Sequence, residues 1–229
     1  MAPPGGNEPP VYATRVPVPF TLTFDTRRGL AGGQATLRWQ TGPAGYTLAL
    51  QAQAFGQRLP GSSSLGGFDA AGLAPERHVE SRRGRELRAA NFQRQAGGNG
   101  RITFSGPPVE YALVAGAQDR LSWIVQLAAV LAANPALTLP GAQVSMFVAG
   151  ARGDGEVWVF AVSGSEAVDL PGGERVEALK LQREPRRPYD TGVQVWVDPA
   201  RHHLPVRLHL AVRASGEGLE FLLRSSSAP

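Results

Sequence analysis

The sequence predicts a mostly β fold: a single curved antiparallel sheet or open β-barrel with one buried α-helix. Three observations carry this. Apolar residues recur at every second position in short runs from Phe20 onward. Gly 28 and Pro 19 make up about a fifth of the 229 residues and fall between those runs as turns. A single segment, Gln118 to Ala133, repeats its apolar residues at helical spacing. With 42% hydrophobic and 18% charged residues the chain can bury a sizeable core.

In chain order, residues 1–19 hold Pro3, Pro4, Pro9, Pro10, Pro17 and Pro19 and little that could pack, which predicts the end of an extended linker. A single β-rich domain is expected over 20–224, and a disordered tail over 225–229. In the first strand Phe20, Leu22 and Phe24 face one way and Thr21, Thr23 and Asp25 the other. The pattern returns in Ala35, Leu37 and Trp39, then in Tyr46, Leu48, Leu50 and Ala52. Arg28-Gly29 and Gly42-Pro43-Ala44-Gly45 supply the turns, so the three runs form an antiparallel meander. Further strands are expected around 64–69, 75–82, 86–95, 101–105 and 109–113, punctuated by Gly66-Gly67, Gly84 and Gly97-Gly98-Asn99-Gly100.

The helix over Gln118 to Ala133 takes Asp119 as its N-terminal cap and stops at Asn134-Pro135. Leu121, Ile124, Val125, Ala128 and Leu131 form one face and alanine much of the rest, so the helix is expected to lie deep. Asp154-Gly155 then marks a hairpin between Gln143–Ala149 and Glu156–Val162. Both strands are apolar on both faces: Val144, Met146 and Val148 oppose Phe147 and Ala149, and Val157 and Val159 oppose Trp158 and Phe160. A second layer must cover them, and the helix is the candidate. Alternation resumes near Val193–Val197, Leu204–Val212 and Leu219–Leu223.

Composition narrows function. Without cysteine there is no disulfide, thiol nucleophile, iron-sulfur cluster or cysteine-based zinc site. No apolar run reaches the roughly 18 residues of a membrane helix. Met1 is followed by Ala2-Pro3-Pro4-Gly5-Gly6, not by a basic and then apolar segment, so the expectation is a cytosolic protein or an exported one whose targeting segment has been removed. Asp190-Thr191-Gly192 has the letters of the aspartic-protease triplet. That chemistry needs a second carboxylate to share the proton, and an apolar strand leading into the first. Here Arg186, Arg187, Pro188 and Tyr189 precede it and no second triplet exists, so an aspartic-type hydrolase at Asp190 is not expected. His202-His203 with Asp198 invites a metal, but neighbours on a strand diverge, and His78 and His209 are not at ligand spacing; neither metal nor cofactor is expected.

The arginines cluster: Arg77, Arg82, Arg83, Arg85, Arg88 and Arg94, then Arg183, Arg186 and Arg187. Such groups can pair with phosphate, sulfate or carboxylate. Glu76, Glu80, Glu86 and Glu184 are interleaved, no aromatic series accompanies them, and the net charge is +4, so nucleic acid is not an expected partner.

The segment Gly67-Phe68-Asp69-Ala70-Ala71-Gly72-Leu73-Ala74-Pro75-Glu76-Arg77, then Asn91-Phe92, then Gln118-Asp119-Arg120-Leu121-Ser122 with Gln126-Leu127, resembles a bacterial family known as domain of unknown function 3108. The resemblance continues through Trp196-Val197-Asp198-Pro199 and His203-Leu204-Pro205-Val206-Arg207, covering nearly everything from Tyr12 to Leu223. It implies an exported, periplasmic protein of Gram-negative bacteria, often preceded by a hydrophobic anchor and a Pro-rich stretch. The membrane would then be met only through an N-terminal anchor absent from this chain. It implies no activity and no catalytic residue. Over about Val193 to Leu210 the chain is also similar to the strand pair of periplasmic lipoprotein carriers, whose curved sheet cradles acyl chains.

The resulting expectation is a non-enzymatic periplasmic protein that binds a lipid-like or amphipathic envelope molecule in the hollow of its sheet. Candidate lining residues are Phe24, Leu37, Trp39, Leu48, Trp158, Phe160 and Trp196, with Arg82, Arg85 and Arg88 for an anionic head group. Plain core is the competing role for each aromatic. Two other functions compete: a structural or interaction module docking an envelope-assembly partner, and a glycan-binding protein, since Trp and Arg also suit sugars.

Overall fold

A computed structural model describes residues 8–54, 56–95, 100–187, 190–212 and 218–227. The Gly97-Gly98-Asn99 turn, Pro188-Tyr189 and the last two residues lie outside the described residues. The strands are β1 Phe20–Arg28, β2 Ala31–Gly42, β3 Gly45–Ala54, β4 Gln57–Arg58, β5 Gly61–Asp69, β6 Gly72–Arg82, β7 Arg85–Gln93, β8 Gly100–Phe104, β9 Tyr111–Leu113 and β10 Gln118–Asp119. After the helix come β11 Gln143–Ala149, β12 Gly155–Asp169, β13 Arg175–Arg183, β14 Thr191–Asp198, β15 Leu204–Val212 and β16 Gly218–Ser227. All belong to one sheet, ordered β10-β11-β12-β13-β14-β15-β16-β1-β2-β3-β5-β6-β7-β8-β9, with β4 against β3. Two antiparallel meanders thus meet where β1 pairs with β16. The two ends of the sheet curl toward each other: Tyr111 of β9 packs on Phe147 of β11 with ring centroids 5.6 Å apart, and its hydroxyl donates to Gly153 O at 3.0 Å. The curved antiparallel sheet with one buried helix is what the structure shows.

The alternation read in the sequence aligns across strands. Leu22 stands opposite Leu37, Phe24 opposite Ala35, Phe20 opposite Trp39, and Trp39 opposite Leu48. All seven fall on the buried face, so one inward row is apolar from strand to strand.

The helix α1 spans Trp123–Ala133 and starts later than the sequence suggested. Gln118-Asp119 is instead a short parallel strand against Val148-Ala149. Asp119 does not cap the helix. Its Oδ1 accepts the N–H groups of Leu121 and Ser122 at 2.8 and 2.7 Å, which bends the chain out of β10 before the helix begins. α1 lies inside the curled sheet, where Val125, Leu127, Ala128, Ala129, Val130 and Leu131 are buried and Trp123 stacks on Phe160 at 5.1 Å. It covers the inner face of the β11–β12 hairpin; on the outer face Phe147 is covered by Tyr111. Among the described residues no helix is long and apolar enough to cross a membrane.

The described residues on either side of the expected domain, 8–19 and 225–227, are part of the fold. The extended segment before β1 packs on the domain: Ser145 N donates to the Tyr12 hydroxyl at 3.0 Å, Arg15 N to Ala129 O of the helix at 2.9 Å, and Trp39 Nε1 to Pro17 O at 3.1 Å. Proline suits such a strap, because it has no N–H left to satisfy. At the other terminus β16 continues through Ser227, paired with Thr21 of β1, so 225–227 is strand and not tail.

Candidate functional site

Antiparallel pairing sorts the turns into two ends. Those after β1, β3, β6, β11 and β13 lie at one end, and those after β2, β5, β12 and β14 at the other.

The seven apolar residues expected to line a hollow are each exposed by 3% or less. Phe24, Leu37, Trp39, Leu48, Trp158 and Phe160 fill the interior together with α1, and the cleft described below is lined by other residues. Trp196 alternates with the inward Val195 and Val197 and so lies on the outer face of β14. It is buried there beneath the stems of Lys180 and Arg207, whose charges sit 5.1 and 4.5 Å from its ring, and its Nε1 donates to Glu166 at 2.8 Å. Lys180, which donates to Glu166 at 2.9 Å, and then the Trp196 indole hold the Glu166 carboxyl below its ordinary range. Arg82, Arg85 and Arg88 are brought together, but on the exposed β6–β7 hairpin far along the strands from that interior.

Asp190 is tied into an ion-pair cluster. Arg183, itself 3% exposed, donates to Glu156 and Asp190, each at 2.7 Å, and to Thr191 O, while its guanidinium lies over Trp158. Burial raises the Asp190 pKa, but the Arg183 bond, the Arg186 and Thr191 amides and the Arg183 charge outweigh it and leave the carboxyl below its ordinary range. A carboxylate so committed is a structural anion. Arg120, paired with Asp154, also lies over the Trp158 ring at 4.6 Å. Polar groups thus close this mouth of the barrel.

At the other end the turn from β14 to β15 is strained. His202 and His203 both have positive φ, 54° and 58°, although neither is glycine. Asp198 fixes the turn by accepting Ala200 N at 2.8 Å and pairing with Arg201, which also pairs with Glu174 at 2.5 Å. Among the described residues no group of three or more His, Asp or Glu could hold a metal ion. The His203 Nδ1 is buried with no hydrogen-bond partner among the described residues, and burial lowers its pKa, against the opposing charge of Asp198.

Beside this turn lies a cleft of about 230 Å³, walled by Val18, Phe20, Leu22, Leu204 and Leu223 and edged by Arg201, His202 and Ser226. Its walls come from the entry to β1, the start of β15 and the end of β16. No local pattern along the chain signals this cleft, because three remote segments build it.

A second feature missed in the sequence is a wholly buried polar chain. Tyr46 and Ser64 hydroxyls lie 3.0 Å apart, Ser64 donates to Asp119 Oδ2 at 2.5 Å, and His78 Nδ1 stands 3.5 Å from Asp119 Oδ1 and 3.1 Å from Ser63 O. Burial, then the Asp119 charge, pushes the Tyr46 phenol above its ordinary range. The carboxylate sits between serine and histidine, so this is no nucleophile-base relay, in which histidine must take the serine proton. Nearby, Gln118 donates to Leu73 O, and Gln126 accepts from Leu73 N while donating to Ala71 O. The Gln118-Asp119, Ser122 and Gln126 pattern was the available signal. It clamps the β5–β6 turn to the helix.

The family model described as "Protein of unknown function (DUF3108)" matches residues 20–221. No curated protein matches the chain. Among solved structures it is similar to the crystal structure of a β-barrel-like protein of the domain of unknown function DUF1849 from Brucella abortus. That likeness has a TM-score of 0.60 at 12% identity, over 95% of this chain and 100% of that one, and it speaks to the fold alone.

Proposed function

We propose that this chain, which belongs to the DUF3108 family, is a non-enzymatic binding protein of the bacterial periplasm whose site is the end cleft and not the barrel interior. It takes the apolar end of a lipid-like or amphipathic molecule. The observation that carries this reading is the cleft itself, with apolar walls and a polar edge where Arg201, shared between Asp198 and Glu174, stands beside His202. At about 230 Å³ it is smaller than the roughly 300–1,000 Å³ of pockets that swallow a whole ligand, so a head group stays outside, within reach of Arg201 and His202. No tryptophan or tyrosine face lines it for a sugar ring to stack on, which favours a lipid over a glycan. The filled interior also favours a second reading, a docking module for an envelope partner.

The test is organic extraction of the purified protein with mass spectrometry, together with binding of the anionic fluorophore anilinonaphthalene sulfonate and its displacement by decanoic acid. Co-purified lipid is expected, and Ser226→Trp, which fills the cleft from an exposed position, should weaken fluorophore binding about tenfold. Clean extracts together with fluorophore binding unchanged by Ser226→Trp would reject the cleft as a ligand site and leave the docking module.

A further inference from the structure

Opposite the cleft, five turns and the strand ends beside them bring arginines to one end of the barrel: Arg27 and Arg28 at the end of β1, Arg58 in β4 beyond β3, Arg82, Arg83 and Arg85 around the β6–β7 turn, Arg152 after β11, and Arg186 and Arg187 after β13. Consecutive hairpins along the sheet are two strands apart, about 10 Å, so the first three turns stand side by side. The rim continues across the seam, where Arg152 reaches Glu80 of β6 at 3.7 Å. Most acids at this end are already neutralised: Glu80 by Arg88 and Arg152, Glu86 by Arg77, Asp154 by Arg120, Glu156 and Asp190 by Arg183. Glu184 is the exception among the described residues. Arg58, Arg82, Arg83, Arg85, Arg186 and Arg187 form no ion pair among those residues.

Exposed leucines accompany them. Leu30, in the β1–β2 turn, is 99% exposed; Leu87, the bulged residue of β7, is 53% exposed, and Leu59 45%. A lone exposed leucine is ordinary, but three on the tips of one charged rim are not scattered. Backbone conformation adds a second sign. Arg83 and Gly84 form a two-residue turn with φ of 52° and 77°, a place where asparagine or glycine is cheaper than arginine.

We propose that this rim docks on an anionic phospholipid surface, the arginines pairing with phosphates while Leu30, Leu59 and Leu87 enter the interface. This departs from the expectation that the membrane is met only through an N-terminal anchor. The combination of basic residues and apolar tips is what interfacial binding requires. The exposed leucines favour a phospholipid surface over nucleic acid, whose charged backbone offers them no hydrocarbon to enter.

The experiment is co-sedimentation of the full chain with vesicles of phosphatidylcholine alone and of phosphatidylcholine mixed with phosphatidylglycerol, at low and high salt. Binding is expected only to the mixture, and weaker in salt. Replacing three charges by Arg82→Gln, Arg83→Asn and Arg85→Gln should weaken it roughly 100-fold, and the asparagine suits the turn, so folding is spared. Leu30→Ser should weaken it about tenfold with the salt dependence kept. Ser226→Trp, at the opposite end, should change nothing, which separates this proposal from the cleft. No sedimentation with the mixture, or equal sedimentation of the triple variant, overturns the proposal; so does a single-stranded oligonucleotide that binds the rim more tightly than the vesicles do.

Discussion

Gly72 opens β6 with φ at +103°, buried against the helix. A Cβ placed there would stand 2.6 Å from Gln126 Oε1 and 2.8 Å from Thr14 Cγ2. Gln126 cannot simply swing aside, since its amide accepts Leu73 N at 2.9 Å and donates to Ala71 O at 2.6 Å, both out of water. Gly72→Ala therefore costs about 1–3 kcal/mol in backbone strain, and a further 1–3 kcal/mol or so if one buried partner of Gln126 is left unsatisfied. The expected loss is about 3–5 kcal/mol, a large part of the roughly 5–15 kcal/mol that holds a domain together. At a urea m-value of about 2–3 kcal/mol/M it moves the unfolding midpoint down by about 1–2 M. Gly67→Ala is the control, because nothing lies within 4 Å of its Cβ position and its φ is not positive. It should cost under about 0.5 kcal/mol. Equal midpoints for the two variants in urea titrations followed by tryptophan fluorescence would refute the clamp.

Two pH dependences follow from the ion pairs and the strained turn. His203 titrates below its ordinary value because it is buried, so the unfolded chain takes up its proton first; the stability it contributes is full above about pH 6.5 and drains as pH falls toward the folded value. His203→Asn, which tolerates a positive φ, should flatten that limb of a plot of Tm against pH, and an unchanged slope would count against it. Asp190 is likewise held below its ordinary range, so its contribution is full above about pH 3.9 and lost in stronger acid. Asp190→Asn leaves buried Arg183 with one carboxylate and should cost about 2 kcal/mol at neutral pH. A neutral-pH Tm equal to the parent's would show that Glu156 alone suffices.

Much of the sheet was legible because local chemistry decides it. Phe20, Leu22 and Phe24 alternate with Thr21, Thr23 and Asp25, and a one-residue slip would bury the polar set, so register follows from composition. The start of the helix was not legible. Periodicity carries it back to Gln118, and only the pairing with Val148-Ala149, some thirty residues on, makes Gln118-Asp119 a strand. Trp196 shows a subtler failure: alternation sets it against Val195 and Val197, yet its aromatic character suggested the interior, and the cover from Lys180 and Arg207 is a cross-strand fact. The arginines were visible as clusters along the chain. Their gathering with Arg27, Arg58 and Leu30 on one rim depends on the parity of every hairpin between them.

Whether the barrel interior could still admit a guest by moving the helix is a question of magnitude. Trp123, Val125, Leu127, Val130 and Leu131 are buried on α1, and each contributes about 1.5–3 kcal/mol when removed from water. Expelling them costs on the order of 10 kcal/mol, before the Gln126 hydrogen bonds to the β5–β6 turn and the Arg15 bond to Ala129 O are broken. A ligand that turns a minor state into the dominant one from 1:99 to 99:1 must supply about 5.5 kcal/mol of differential affinity. An open interior starts far rarer than that and would demand correspondingly more. The helix is therefore core and not lid, and both proposed sites, the cleft beside the His202-His203 turn and the arginine rim at the other end, are surfaces already open in the folded chain.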